Sequence, residues 1–168
     1  MKRSRNWRES WPLDSLVVQA NQLAEEGKNR QAVRLLLKAA RAGNLSAQLN
    51  LGAHLATGKG VRQSGEKALY CYKRAAARRY AAAASNAACI YRDQGRVKLA
   101  LRWFKKAVAL GDDDAMLEVA KLCLGALGAA RRARRLLARV VSSKKVAPIT
   151  QEEALRLQQE LQEVRPRR

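Results

Sequence analysis

The sequence holds one histidine, one phenylalanine and three cysteines in 168 residues, and 14 acidic residues against 34 lysines and arginines. Each scarcity excludes something. The lone His54 sits between Gly52 and Leu55 in an apolar helical pattern and reads as a surface or groove-facing residue, with no partners for a zinc centre or a Ser/His/Asp triad. Cys71, Cys89 and Cys123 are widely spaced and make no CxxC or Cys/His pairing, so they read as small core hydrophobes in a reducing compartment. No stretch approaches the ~20 apolar residues that span a bilayer, so no membrane insertion is expected. The opening "MKRSRNWRESWPLD" is basic but leads into no apolar h-region or small-residue cleavage site, which makes cytoplasmic residence the expectation. The glycine-rich "GKGVRQSGEK" is not followed by GK[ST], so it is no nucleotide-phosphate loop. These absences leave no catalytic constellation. The chain is read as a non-enzyme that needs no cofactor and no metal.

What remains is rich in alanine and leucine, a mixture that favours close-packed helices over strands and predicts an all-α protein. The helices repeat. "LVVQANQLAEEGKNRQAVRLLLKAARAG" breaks at Gly27, places Ala32 five residues later and Lys38 six beyond. The same register returns at Gly95, Ala100 and Lys106, and at Gly128, Ala133 and Arg139. A further unit keeps Ala68 and Arg74 but lengthens its loop after Gly58 by five residues. Each unit is a helical hairpin that cannot bury its apolar face alone, so neighbours must stack. Gly52, Ala88 and Ala120 in the first helices, with Ala68, Ala100 and Ala133 in the second, permit the close crossing. Tyr70, Tyr72, Trp103 and Phe104 are expected to fill the gaps between units.

The stretch "AQLNLGAHLATGKGVRQSGEKALYCYKRAA" resembles a Sel-one-like repeat, a relative of the tetratricopeptide repeat, through Ala47, Gln48, Leu51, Gly52, Leu55, Gly58, Gly60, Val61, Lys67, Ala68, Tyr72, Ala75 and Ala76. The first and third units lack the GxGV insertion and are closer to plain tetratricopeptide repeats. The fourth is degenerate. The resemblance implies a right-handed α-solenoid of about four helical hairpins over residues 15–141, preceded by a basic arm at 1–14. A linker, capping helix and basic tail follow at 142–168. Within that tail Thr150 and Glu153 have capping-box spacing, and Leu155, Leu157, Leu161 and Val164 offer an apolar stripe. Gly58 and Gly60 then read as a tight interhelical loop. The cluster Asp112–Asp114 reads as an N-terminal helix cap ahead of Ala115, with a cation site as the other possibility.

Function has to come from the surface. A net charge of +20 exceeds what solubility needs and calls for a polyanionic partner. The family geometry implies that first helices line a groove, turning Asn21, Asn50, Ser85, Asn86, Arg92, Glu118 and Lys121 toward it. Asn50 and Asn86 hold equivalent positions and could clamp a backbone. The densest cations are Arg131, Arg132, Arg134 and Arg135 in "RRARRLLARV". The preferred reading is a non-catalytic protein–protein interaction scaffold for an acidic protein such as a cognate effector or toxin, acting as an adaptor, chaperone or immunity protein. The partner-binding residues are then Asn50, Asn86, Arg92, Lys121, Arg131, Arg132, Arg134 and Arg135. The alternative is an RNA- or DNA-binding repeat protein, in which Tyr80, Tyr91 and Trp103 could stack on bases, although they fall at repeat core positions. A membrane-surface role ranks last, because the basic helix lacks an aromatic wedge.

Overall fold

The computed structural model describes residues 7–163, so the terminal runs "MKRSR" and "RPRR", and Val164 of the expected stripe, lie outside the described residues. Nine helices and no strand are present among those described: α1 (Trp7–Glu25), α2 (Asn29–Arg41), α3 (Leu45–Thr57), α4 (Gly65–Ala77), α5 (Ala81–Asp93), α6 (Val97–Ala109), α7 (Ala115–Leu124), α8 (Ala130–Ser142) and α9 (Pro148–Glu163). The fold is all-α, built from helical hairpins of the solenoid class. It divides into two compact units, one ending at Ala83 and the other starting at Ala84, with the division inside α5.

In the first unit each helix packs on the next, from α1 through α4. The expected register holds to the residue: Ala32, Ala47 and Ala68 are completely buried. Gly52 lies under Tyr72, where a Cβ would come within 2.8 Å of the ring. Helix α3 starts at Asn44, whose side chain accepts from the Ala47 N–H at 2.9 Å, and α4 starts at Ser64, whose hydroxyl accepts from the Lys67 N–H at 3.3 Å. Helix α3 closes at Gly58 in the left-handed conformation. Gly60 is needed for a second reason. A Cβ there would meet the Asn29 carbonyl oxygen at 2.5 Å and the Arg30 nitrogen at 2.7 Å, so the loop lies directly on the start of α2. His54 Nδ1 bonds the Lys59 carbonyl at 2.7 Å and fastens the same loop. The glycines are scaffolding.

In the second unit α6 packs on α7, α7 on α8 and α8 on α9. Its core gathers Met116, Leu117 and Ala120 of α7, Leu137 and Val140 of α8, Val146, and Ala154 of α9. Ala100 and Ala133 are again completely buried, Phe104 is nearly so, and Tyr91 stacks on Trp103 with ring centroids 6.5 Å apart.

Two local expectations are corrected and a third, the aspartate cap, is narrowed to one residue. Tyr70 fills no gap: it is 62% exposed, because it lies two residues, roughly 200° of helix, from the buried Tyr72. Helix α9 begins at Pro148, two residues ahead of Thr150, since proline has no N–H to lose at the first helical position. Its buried stripe is Ala154 with Leu157 and Leu161 partly buried, and Leu155 is exposed. The aspartate cap of α7 is supplied by Asp112, whose carboxylate accepts from the Ala115 N–H at 3.3 Å and from the Ser85 hydroxyl. Asp114 is directed elsewhere and accepts the Ala147 N–H at 2.9 Å, tying α7 to the start of α9.

Candidate functional site

Of the residues singled out for binding, Asn50 lies in the first unit and the other seven in the second. On α3, Asn50 donates its side-chain N–H to Asn21 Oδ1 of α1 at 2.9 Å, so the two first helices of that unit are joined by an amide pair. Asn86 is half-buried on α5.

Arg92 and Lys121 belong to a charged ladder. Arg92 of α5 donates to Asp93 at 3.2 Å and to Glu118 of α7 at 2.6 Å. Glu118 also accepts from Lys121 at 3.0 Å, and Lys121 reaches Glu153 of α9 at 2.6 Å. Three successive odd-numbered helices are therefore tied edge to edge by alternating charges. Burial alone would lower the Lys121 pKa, but hydrogen bonds to Glu153 and Glu118 more than offset it and hold it above the ordinary value of 10.5. For Arg92 burial likewise works against the charge, and Cys89, Asp93 and Glu118 outweigh it, so the guanidinium pKa is raised. Both cations are already matched within the chain.

The α8 arginines stand differently. Arg131, Arg132 and Arg135 are exposed, and none of the ion pairs among the described residues includes them. Arg134 is half-buried and donates to the Leu161 carbonyl at 3.1 Å. That carbonyl belongs to the last turn of α9, where the helix leaves its own acceptors unfilled. Arg134 closes the end of the unit, while its three neighbours present free positive charge.

Two apolar clefts lie on the second-helix side, and sequence reasoning named neither. In the first unit a cleft of about 360 Å³ runs between α2 and α4 over a floor of α3. In the second unit a smaller one, about 190 Å³, runs between α6 and α8 over α7. Their rims match by repeat register. Lys67 and Arg74 flank the first where Arg132 and Arg139 flank the second, at equal offsets from Ala68 and Ala133. The available signal was Gln48, a polar residue on the apolar stripe between Ala47 and Leu51.

A chain of consecutively packed helical hairpins is of the helical-repeat class. The Sel1 repeat model matches residues 26–44, 45–80 and 81–112, just over half of the chain. This chain belongs to the Sel1 repeat family. The α7–α8 hairpin falls outside the matched residues, in keeping with its degenerate sequence. Among solved structures, a Sel1 repeat protein from Oxalobacter formigenes is similar with a TM-score of 0.64 and 19% identity, over 89% of this chain and 71% of that one. A putative kinesin light chain from Podosopora anserina with nearly identical TPR-like repeats has a TM-score of 0.60 and 20% identity, over 90% of each chain. No curated protein sequence matches. Repeats of this family generally mediate protein–protein interaction and are typically non-catalytic scaffolds. No described helix is long and apolar enough to cross a membrane.

Proposed function

We propose that this chain is a non-catalytic scaffold that captures an acidic protein on its second-helix face. The observation that carries the reading is the division of charge in the second unit: Arg92 and Lys121 are neutralised by Glu118 and Glu153, whereas Arg131, Arg132 and Arg135 remain exposed and unmatched. Free cations arranged on one helix accelerate encounter with an acidic surface and reject basic ones. In the second unit the ladder residues Arg92 and Lys121, with Asn86, serve as a second contact region, and in the first unit Asn50 serves as another. Adaptor, chaperone and toxin-neutralising roles all use such a surface, and three free cysteines favour a reducing, cytoplasmic setting. The test is affinity capture from the native lysate after nuclease treatment, eluted through a salt gradient. A stoichiometric acidic protein supports the reading. Retention of nucleic acid that disappears with nuclease and falls steeply with salt replaces it with the RNA- or DNA-binding one.

A further inference from the structure

The second helices carry their cations in a fixed row. On α8, Arg131, Arg135 and Arg139 stand four residues apart about the buried Ala133. Four residues are little more than one turn and about 6 Å of rise, so the three lie along one side of the helix over about 12 Å. The same offsets from Ala32 hold Arg30, Arg34 and Lys38 on α2, and those from Ala100 hold Lys98, Arg102 and Lys106 on α6. All are exposed, and none of the ion pairs among the described residues includes them. Lys106 lies over the Trp103 ring at 4.7 Å. Neither α2, α6 nor α8 contains an acidic residue. Like charges at this spacing destabilise a helix. A row kept in three helices at that cost draws its countercharge from outside the chain. Helix α4 is the exception, with Glu66, Tyr70 and Arg74 at the same offsets.

The countercharge has to repeat at the pitch of the row. An α-helix with a carboxylate at every fourth residue has that pitch built in, whereas a coiled peptide loses conformational freedom to reach it. A nucleic-acid strand finds no aromatic on α8 to stack a base upon. A second copy of this chain is poorly matched, because its own acidic helix, α9, sets Arg156 midway between Glu152 and Glu160 and pairs it with Glu160 at 3.1 Å. We infer that α8 receives an acidic α-helix of the partner, laid along the row so that carboxylates at every fourth position meet Arg131, Arg135 and Arg139 in turn. This deepens the reading above and rests on it. Arg132, one residue off the row, adds general attraction, and Arg134 is held by the Leu161 carbonyl.

Fluorescence anisotropy on the full chain tests the match with labelled peptides rich in alanine and glutamine. In the first, glutamates recur at every fourth residue. In the second, of the same length and composition, they alternate between intervals of two and six, which winds them around the helix. The third keeps the first pattern but carries a central proline that breaks the helix. The first is expected to bind about fivefold more tightly than either of the others, the scale of a few exposed ion pairs acting together. Arg135→Gln, at the centre of the row, is expected to erase that preference. Arg132→Gln should weaken all three peptides alike and keep it, with the circular dichroism spectrum unchanged in both variants. Equal affinity for the three peptides, a preference that survives Arg135→Gln, or one lost equally with Arg132→Gln overturns the inference. Tighter binding of an oligouridylate of equal charge also overturns it and assigns the row to nucleic acid. If the peptides show no preference while nuclease-resistant capture of an acidic protein persists, the helix alone is lost. If capture also fails, so is the reading it rests on.

Discussion

The ring of Tyr72 occupies the space that a side chain on Gly52 would take: a Cβ there would stand 2.8 Å from Cδ1 and 2.9 Å from Cζ. The crossing of α3 and α4 is set by this pair, a residue without a side chain beneath one of the most buried aromatics of the first unit. Gly52→Ala gains helix propensity of roughly 0.5–1 kcal/mol, yet overpacking this contact costs about 1–3 kcal/mol. The clash should win. Urea unfolding is expected to show a net loss for Gly52→Ala, smaller in a Tyr72→Leu background, where the ring is gone. An alanine variant as stable as the parent would place the crossing elsewhere.

Arg79 is the only non-glycine residue at positive φ among those described, at 66°. It stands two residues beyond the end of α4, where Gly43 follows α2 and Gly111 follows α6 at the same offset. A left-handed conformation costs an ordinary residue roughly 1–2 kcal/mol, and glycine returns part of that gain through its freer unfolded chain. Arg79→Gly is therefore expected to raise the unfolding free energy by about 0.5–1 kcal/mol. A lower midpoint in urea would show that the arginine side chain contributes more than its backbone strain removes.

The ladder has a pH signature. Lys121 has a native pKa raised above its ordinary 10.5, the net result of burial, which lowers it, and the stronger opposing bonds to Glu153 and Glu118. Its contribution to stability is fully present below the unfolded pKa and is lost as pH rises through the native one. The comparison of interest is therefore parent against Lys121→Met, since the general loss of charge near the pI of about 10.9 affects both. Thermal melts should separate the two by the equivalent of ~1 kcal/mol or less at pH 7 to 9, because the pairs are partly solvated. The gap should close as the pH is raised through the native pKa of Lys121. A gap that persists in strong alkali would mean that lost packing, not charge, separates them.

The repeat register was legible because it is steric: Ala32, Ala68, Ala100 and Ala133 recur where helices cross, and only small residues fit there. Helix faces were less legible. Tyr70 and Tyr72 carry the same side chain two positions apart, and only the packing partner at Gly52 decides which one is buried. The ladder was half visible, since Arg92, Glu118 and Lys121 could be placed on first helices, but their pairing depends on the lateral spacing of α5, α7 and α9. The link to Glu153 was out of reach while α9 was read as starting at Thr150. Arg134 could not be told from Arg131, Arg132 and Arg135 in a run of arginines, because its acceptor, the Leu161 carbonyl, is 27 residues away.

The most direct measurement compares the parent chain with Arg131→Glu/Arg132→Glu/Arg135→Glu in capture of the nuclease-resistant acidic protein, with Arg134 left in place to hold the end of α9. The account predicts a loss of at least tenfold in affinity, roughly 1.4 kcal/mol, with helical content unchanged and the remaining affinity less sensitive to salt. Equal capture by both chains would contradict the claim that the free arginines of α8 receive the partner.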